Sequence, residues 1–358
     1  MAFLMAKTQL LGMTRDELAT FCVALGEKAF RGKQLFQWLY GRSAEHFEDM
    51  TNLSLALRTR LSDVAEVGEL TLVQRQISRK QDAEKLLFRL PDGFQIESVM
   101  MHEATRRTLC VSSQVGCPID CKFCATGKMG LLRNLSAGEI VNQLLTAQRV
   151  CRTNVTNVVL MGMGEPMNNY DEMIKACYLM TDEEGPNLGQ RHIVISTSGL
   201  IPKIRQFTEE GHKFRLAISL NATTDEVRDK LMPLNRKYPI ADLLAAARAY
   251  TAKARQRVTF EYVLLEGIND SLQDAARLKK LVAKIPCKVN LIPYNAVDEH
   301  FRRPSVDRIQ AFYQRMQDAI VPVTLRWSKG DDIDAACGQL WTKAEHASSG
   351  QMMPLAVS

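Results

Sequence analysis

The sequence contains no apolar run long enough to cross a bilayer, which excludes a protein that spans the membrane with a hydrophobic helix. Its first twelve residues are mildly apolar but lack a long apolar core and a small-residue cleavage site, so we expect no secretory signal. The chain also lacks a strong excess of one charge, since its net charge is +6 with 24% charged residues. This balance permits a nucleic-acid partner without requiring one, because ordinary solvated Lys and Arg surfaces explain it equally well.

The cysteines do not indicate a disulfide-stapled fold. There are nine in 358 residues, and three of them are clustered, which fits a reducing cytoplasm better than a disulfide scaffold. We therefore expect a cytoplasmic protein with no membrane partner. The length and the 46% hydrophobic content suffice for one globular domain of barrel size and a small accessory domain.

The clustered cysteines, Cys117, Cys121 and Cys124, have the spacing C-x3-C-x2-C and lack a fourth cysteine nearby. A structural zinc site needs four ligands, so a zinc knuckle here would have to borrow His102 or a distant cysteine. An iron–sulfur cube held by three thiolates keeps one iron open for a further ligand. The motif therefore favours a catalytic cluster, and hence an enzyme, over a structural zinc site.

The first part of the chain, to about residue 90, has a composition of its own. Thr14, with Glu17 three residues later, predicts the start of a helix. In residues 26–42, aromatic residues alternate with Arg31, Lys33 and Arg42. A small helical bundle with an apolar core explains this pattern, and a module that grips RNA with cations and aromatics is the alternative. Residues 71–90 alternate as strands do.

From about residue 95 the pattern changes to alternating strands and helices. The predicted strands are residues 108–113, 156–162, 191–197, 214–220, 257–264, 287–294 and 321–327. The predicted helices between them are residues 136–150, 171–180, 201–210, 240–254, 271–284 and 305–318. Such βα units form a parallel α/β fold, and about six of them predict a partial (β/α)6 parallel barrel.

This pattern predicts three regions. Residues 1–90 form an N-terminal helical accessory domain that we expect to bind RNA, residues 91–345 form the partial barrel, and residues 346–358 form a tail that we expect to be disordered. The active site of a parallel barrel lies at the carboxyl ends of its strands.

Polar and small residues follow the predicted strands at those ends. They are Gly-Met-Gly-Glu-Pro at 162–166, Ser-Thr-Ser-Gly at 196–199, Ser-Leu-Asn at 219–221 and Pro-Tyr-Asn at 293–295. Glycines allow a ligand to approach the backbone, and a carboxylate accepts hydrogen bonds from an ammonium group. Each motif alone is weak, since these are common turn residues, but together beside an open cluster they indicate a binding site.

These motifs resemble those of the radical S-adenosylmethionine superfamily and, more narrowly, of the RlmN-type adenine methyltransferases that act on ribosomal and transfer RNA. The resemblance is carried in order over residues 110–340 by CVSSQVGCPIDCKFCATG, VVLMGMGEPMNN, ISTSG, AISLNA, VNLIPYN and GDDIDAACGQL. The N-terminal part is similar to the small helical domain of that family. One departure is Asn221, where many members have His.

The resemblance implies the cofactors and their ligands. A [4Fe-4S] cluster would be held by Cys117, Cys121 and Cys124. The residues that would contact S-adenosylmethionine are Gly164, Glu165, Ser196, Ser219, Leu220, Asn221 and Asn295.

The resemblance also implies three catalytic residues. Cys337 would carry a methyl group, Cys110 would resolve a covalent protein–RNA intermediate, and Glu97 would accept a proton. Glu103 is a second carboxylate nearby; Glu97 is favoured because Glu97-Ser98-Val99 is similar to a Glu-Thr-Val pattern of the family. Without the resemblance, both cysteines would be interpreted as small buried hydrophobic residues.

The chemistry explains why such a family needs these residues. Adenine C2 has no lone pair and is not a nucleophile, so the resemblance implies a radical route in which Cys337 is methylated first and then delivers its carbon to the base. Attack by Cys110 would release the product and leave a Cys110–Cys337 disulfide, which an external thiol or reductant must reopen. The target base would have to leave its stack.

The implied partners are 23S ribosomal RNA free of protein or at an early stage of assembly, transfer RNA through its anticodon-loop adenine, and a reducing electron-transfer partner. The cations Arg31, Lys33 and Arg42 are the candidate grip on the RNA backbone. We expect a monomer.

Three other functions remain open at this point. The nearest is methylation of adenine C8 in 23S ribosomal RNA, which would confer resistance to ribosome-targeting antibiotics and would use the same fold and the same two cysteines. The others are a non-catalytic protein that binds metal and RNA, and a radical enzyme that acts on another protein.

Overall fold

The computed structural model describes residues 7–68 and 70–340, so the predicted tail at 346–358 lies outside the described residues. The strands are β1 Thr8–Gln9, β2 Ala65–Glu66, β3 Thr71–Ile77, β4 Ala83–Arg89, β5 Gln95–His102, β6 Arg107–Cys110, β7 Gln114–Gly116, β8 Leu131–Asn134, β9 Asn157–Leu160, β10 Ile193–Thr197, β11 Arg215–Ser219, β12 Val258–Leu264, β13 Cys287–Pro293 and β14 Val323–Leu325. The helices are α1 Arg15–Ala24, α2 Phe30–Phe36, α3 Leu55–Val64, α4 Ala125–Lys128, α5 Ala137–Cys151, α6 Tyr170–Thr181, α7 Ile201–Glu210, α8 Asp225–Leu231, α9 Ile240–Ala254, α10 Leu272–Val282 and α11 Val306–Gln317.

One mixed sheet of ten strands organises most of the chain, in the order β14-β13-β12-β11-β10-β9-β6-β5-β4-β3. The seven strands β6, β9, β10, β11, β12, β13 and β14 are all parallel to one another. The strands β3, β4 and β5 form an antiparallel meander that continues the sheet at β6. Two short pairs lie outside it, parallel β1–β2 and antiparallel β7–β8.

The α/β class predicted from the sequence is confirmed, with a sheet that is mixed rather than wholly parallel. All seven predicted strands and all six predicted helices have a counterpart, with ends that shift by a few residues. Parallel strands need a crossover between them, and the helices α5, α6, α7, α9, α10 and α11 supply it. Closure into a partial barrel stays a prediction.

The N-terminal segment is largely helical. Thr14 caps α1 as predicted: its side chain accepts from the Glu17 amide, and the Glu17 carboxylate accepts from the Thr14 amide. Leu35, Trp38 and Leu39 are buried, as the apolar-core interpretation of this segment requires. The strands β3 and β4 pair with the large sheet, although their sequence lies before residue 90. The division of the chain at residue 90 stays a prediction.

The fold sets the position of the site. Because the parallel strands all run the same way, the loops after β6, β9, β10, β11, β12 and β13 leave the sheet at one edge. The motifs singled out in the sequence lie in those loops. Among residues 7–68 and 70–340, no helix is long and apolar enough to cross a membrane.

Candidate active site

The three clustered cysteines lie on a loop held between β7 and β8. The loop begins where the Cys117 amide donates to the Gly130 carbonyl at 2.8 Å, and it ends where the Ala125 amide donates to the Gly338 carbonyl at 2.8 Å. The second bond ties the loop to the segment that carries Cys337. The short helix α4 follows directly after Cys124.

The three thiols lie within electrostatic range of one another. Burial, followed by the charges of Cys124 and Cys117, raises the pKa of Cys121 well above its usual value. Burial raises the pKa of Cys117 to about 12. A thiol in this environment stays protonated unless a metal or a cluster takes the place of its proton.

The donor set fits a cluster better than a single ion. Among residues 7–68 and 70–340, no group of three or more His, Cys, Asp or Glu is arranged to hold one metal ion. Zinc needs its ligands to converge on one point, whereas thiolates on an iron–sulfur cube each bind a different iron and stay apart. Three thiolates on a cube would leave one iron open for a further ligand, and Cys337 lines the same cavity as the three cysteines.

A single cavity, here called the strand-end chamber, brings the predicted cofactor residues together. It is lined by the three cysteines and by Gly164, Glu165, Ser196, Ser219, Asn221, Asn295 and Cys337. These residues come from the ends of β9, β10, β11 and β13 and from three loops that are far apart in sequence. Leu220 is the exception, since its side chain is buried and does not line the chamber.

Gly164 and Glu165 have distinct local reasons to be where they are. Gly164 has a φ of +102°, and a Cβ there would lie 2.6 Å from the Gln114 Cβ, so only glycine fits. The Glu165 carboxylate accepts from the Ser198 amide and the Ser198 hydroxyl, both at 2.7 Å. Burial nevertheless raises its pKa. A ligand ammonium group would stabilise this buried carboxylate.

Asn221 and Asn295 use their amides within the protein. The Asn221 Oδ1 accepts from the Val263 amide at 2.9 Å, and the residue adopts a left-handed conformation with φ of 53°. The Asn295 Nδ2 donates to the Cys337 carbonyl at 3.2 Å. Both side chains therefore form part of the chamber wall, and Asn295 also holds the segment that carries Cys337.

A second cavity, here called the cysteine chamber, contains both predicted catalytic cysteines. Cys110 and Cys337 line it together with Glu103, Met161 and Arg326. Cys337 is exposed, so the interpretation of this residue as a buried core cysteine is wrong, whereas Cys110 is buried at the end of β6. Because Cys337 and Met161 also line the strand-end chamber, the two cavities meet at these side chains.

Cys110 is held as a neutral thiol. Burial, and then the charge of a neighbouring Cys337 thiolate, raise the pKa of Cys110 to about 12, and Arg326 acts to lower it. Burial acts to lower the pKa of Arg326, but the surrounding anions, including Cys337 and Cys110, raise it overall. Arg326 is therefore a permanent cation beside both thiols.

The two candidate carboxylates occupy different places. Glu97, on β5, is 3% exposed, and its Oε1 lies 3.3 Å from the Nζ of buried Lys85. Lys85 in turn lies 3.5 Å from the Asp334 carbonyl, on the segment that leads to Cys337. Glu103 lines the cysteine chamber and pairs with Arg106 at 2.6 Å. Glu103 therefore lines the cysteine chamber, whereas Glu97 does not and is connected to the Cys337 segment through Lys85.

Arg228 is a residue that the sequence did not single out. It is fully buried, and its guanidinium donates to the carbonyls of Ser198, Ser219 and Leu220 at 2.7, 3.1 and 3.0 Å. Burial lowers its pKa to about 10. Arg228 therefore fixes the ends of β10 and β11, including the Leu220 carbonyl. Its only sequence signal is a charged residue on a short helix.

Comparison with known proteins agrees with this geometry. Residues 8–67 match the Ribosomal RNA large subunit methyltransferase N-terminal domain, and residues 111–278 match the Radical SAM superfamily. A dual-specificity RNA methyltransferase RlmN from Geobacter sulfurreducens is 46% identical over 338 residues, which cover 93% of this chain and 92% of that protein. The chain belongs to the RlmN family of radical S-adenosylmethionine RNA methyltransferases.

Two further relatives support the assignment to the RlmN family. A probable dual-specificity RNA methyltransferase RlmN from Symbiobacterium thermophilum is 44% identical over 351 residues, covering 97% of this chain and 95% of that one. The crystal structure of a radical SAM methyltransferase from Sphaerobacter thermophilus superposes with a TM-score of 0.90 and 44% identity, covering 93% of this chain and 99% of that one. The expected resemblance to the RlmN family is confirmed, and with it the expectation of an enzyme.

Proposed function

We propose that this protein methylates C2 of a specific adenosine in 23S ribosomal RNA and of the anticodon-loop adenine in transfer RNA, by a radical route through a methylated Cys337. The observation that carries the proposal is the position of Cys337. Its exposed side chain lines both the strand-end chamber and the cysteine chamber, so one thiol faces the cofactor residues and the resolving cysteine at once.

The strand-end chamber is the proposed cofactor site. Cys117, Cys121 and Cys124 would hold a [4Fe-4S] cluster, and Glu165 would accept hydrogen bonds from the ammonium group of S-adenosylmethionine. Ser196, Ser219, Asn221 and Asn295 supply the other polar atoms of the wall. When bound, these groups supply the methyl group and the radical chemistry that an unreactive carbon requires.

Cys337 would accept the methyl group and then deliver its carbon to the base. The thiolate is the nucleophile in the first of these steps, and Arg326 lies in the same cavity lining as Cys337. A backbone bond to Asn295 and the bond between Gly338 and the cysteine loop hold the segment in place. Such positioning contributes to rate by holding reacting atoms within reach of each other.

Cys110 would release the product. Its thiolate attacks the Cys337 sulfur and forms the S–S bond. The bond between that sulfur and the RNA-bound carbon then breaks. The carbon keeps the electron pair of this bond and takes up a proton, which completes the new methyl group. The hydrogen at C2 would leave as a proton to Glu97, whose Oε1 lies 3.3 Å from the Lys85 Nζ, and the one electron released with it would be taken up by the oxidised cluster. An external thiol or reducing partner then reopens the disulfide.

The remaining expectations belong to the same proposal. The target base would be flipped out of its stack to reach the cysteine chamber. The substrates would be ribosomal RNA before it is covered by protein, and transfer RNA, both in the cytoplasm, where a reducing milieu keeps thiols free. We further propose that the protein acts as a monomer, with residues 91–345 forming a partial barrel.

The experiment that tests the proposal identifies the product. The protein, purified anaerobically with its cluster, is incubated with S-adenosylmethionine, a reductant and an anticodon stem-loop or a ribosomal RNA fragment, and the digested RNA is analysed by mass spectrometry against synthetic standards. 2-Methyladenosine supports the proposal. 8-Methyladenosine would establish the other regiochemistry, and an unmodified RNA would refute both.

A further inference from the structure

A third cavity lies on the same face of the sheet, at the opposite ends of the parallel strands. It is lined by the first or second residue of seven strands, Thr108, Asn157, Val194, Arg215, Thr259, Lys288 and Thr324. Its volume is about 400 Å³, within the range of small-ligand sites. None of these residues belongs to a motif that the proposed chemistry uses.

This amino-end cavity has an excess of positive charge. Its charged lining residues are the cations Arg106, Arg191, Arg215, Lys288 and Arg326 and the anions Glu103 and Glu261. Glu103 is engaged by Arg106. Within the described part of the chain, no carboxylate oxygen lies within 4.0 Å of the cationic nitrogens of Arg215 or Lys288. Burial lowers the pKa of Lys288, and Arg215, Arg326 and Arg106 lower it further while Glu261 acts in the opposite sense.

Five cations around one concave site, with the pKa of Lys288 lowered by burial and by its cationic neighbours, indicate that the site lacks an anion. A folded chain gains nothing from gathering like charges on the inner face of a sheet, where apolar side chains would pack better. An anionic ligand would relieve the repulsion. Phosphate groups are the anions that Arg and Lys bind best, through forked and point-charge contacts respectively.

A buried acceptor deep in the cavity narrows the ligand further. Glu261 is 6% exposed, and its Oε1 accepts from the Asn290 amide at 2.9 Å. Its Oε2 is buried with no hydrogen-bond partner among the described residues. Buried polar atoms are normally paired, so the ligand should bring a donor, such as an exocyclic amine or a hydroxyl, to this oxygen. A ligand that brings phosphate groups to the cations of this cavity and a hydrogen-bond donor to the Glu261 Oε2 is a nucleotide.

The amino-end cavity communicates with the cysteine chamber. Met101, Glu103, Val159, Met161 and Arg326 line both, and Met161 lines the strand-end chamber as well. A nucleotide that enters from the amino ends of the strands therefore reaches Cys110 and Cys337 without crossing the cofactor residues. Of the N-terminal cations, Lys33 pairs with Glu184 at 2.7 Å and Arg31 pairs with Glu27 at 3.8 Å, whereas Arg42 stacks on Trp38 at 4.3 Å and keeps its charge.

We propose that the RNA strand docks at the amino ends of the parallel strands, with backbone phosphates next to the flipped nucleotide bound by Arg215 and Lys288 and a nucleotide donor bound by Glu261. The inference rests on the proposed RNA methylation. In this arrangement the RNA docks at the amino ends of the parallel strands, and S-adenosylmethionine binds at their carboxyl ends.

The test measures RNA affinity as a function of salt for the full-length protein with its cluster. The probe is a fluorescent anticodon stem-loop with one loop adenosine, followed by anisotropy. The charge reversal R215E/K288E should weaken binding at least about tenfold and reduce the slope of log affinity against log salt by about two, one per lost phosphate contact. R215K/K288R keeps the charge and should bind like the wild type.

Two controls make the outcome decisive. The melting temperature of R215E/K288E shows whether the protein is folded, and R31E/R42E reverses the same charge on the N-terminal segment. If R215E/K288E is folded and binds as tightly as the wild type, or if R31E/R42E alone removes binding, docking at the amino ends is overturned. If the wild type itself does not bind or methylate the RNA, it is the proposed function that fails.

Discussion

Asn295 holds the backbone of Cys337: its Nδ2 donates to the Cys337 carbonyl at 3.2 Å, while its Oδ1 accepts from the Arg303 Nη2 at 3.1 Å. Asn295 follows β13, and it is 3% exposed. A residue predicted to contact the cofactor thus also fixes the segment that carries the acceptor thiol. Asn295, just after β13, therefore contacts the Cys337 segment, and Cys337 lines both the strand-end chamber and the cysteine chamber.

Removing the donor at Asn295 should slow the methylation of Cys337. Asn295→Asp keeps the shape and the acceptor for Arg303 but cannot donate to the carbonyl, so the segment should lose its position. We expect the rate of methyl transfer to Cys337 to fall by about tenfold or more, as small displacements of reacting groups do. The measurement is the time course of the methylated Cys337 peptide by mass spectrometry. Equal rates in Asn295→Asp and the wild type would show that this bond does not position the thiol.

Without Cys110, a covalent adduct between RNA and Cys337 should accumulate. Cys110→Ala removes the thiolate that breaks the adduct, so a protein–RNA band should persist in denaturing gels, whereas Cys337→Ala should bind RNA but form no adduct. In the wild type, adduct decay should accelerate with pH. Burial raises the pKa of Cys110 to about 12, so the reactive thiolate fraction grows about tenfold for each unit of pH below that value.

The single variant Cys337→Ala and the double variant Cys110→Ala/Cys337→Ala are the controls for that band. An adduct in either would place the covalent link on another residue and contradict the mechanism. A rate of adduct decay that does not change between pH 7 and 9 would show that Cys110 ionisation does not limit this step.

The two carboxylates near the cysteine chamber should differ in their effect on turnover. Glu97→Gln keeps the buried shape but removes the proton acceptor, and we expect a loss of about 10²-fold or more in RNA methylation. Glu103→Gln should cost much less, because Glu103 is half exposed and pairs with Arg106. Methylation of Cys337, in which no proton leaves the RNA base, should continue in both. The reverse order of the two effects would assign the proton to Glu103.

Arg228 should be needed for stability at the strand ends. Arg228→Met removes the guanidinium donors from the buried carbonyls of Ser198, Ser219 and Leu220, of which Leu220 keeps another donor, the Ala222 amide, and should lower the free energy of unfolding by about 3–5 kcal/mol. Arg228→Lys keeps a charge with fewer donors and should lose less. Urea unfolding measures both. Wild-type stability in Arg228→Met would show that water or backbone movement satisfies these carbonyls.

Much of the fold could be predicted because its elements have strong local patterns. The strand Asn157–Leu160 is apolar on both faces, and helix Ala137–Cys151 begins with Ser136 and Glu139 as a capping box. Strand β5 was missed because residues 95–102 mix charged and apolar side chains, and because their partners β4 and β6 are set by tertiary pairing. Helix α8 was missed because it is short and strongly charged.

The residues of the candidate site also fall into two groups, those that local motifs predict and those that only the folded structure reveals. The cysteine motif and the strand-end motifs carry their chemistry in a few consecutive residues, so their meeting in one chamber could be predicted from the topology of a parallel sheet. The roles of Arg228, Arg215 and Lys288 could not be predicted from the sequence. Each is a charged residue at an unremarkable position, and only the folded sheet shows that the first is buried and that the other two face a cavity. The exposure of Cys337 also depends on a loop that has no local signal.

The most direct test of the central claim is peptide mass spectrometry of Cys337 in protein purified anaerobically with its cluster and incubated with S-adenosylmethionine. The account predicts one added methyl group on Cys337, absent from Cys110 and from the cluster cysteines. An unmodified Cys337 after that incubation would contradict a route through methyl-cysteine and would leave a radical enzyme with a different substrate.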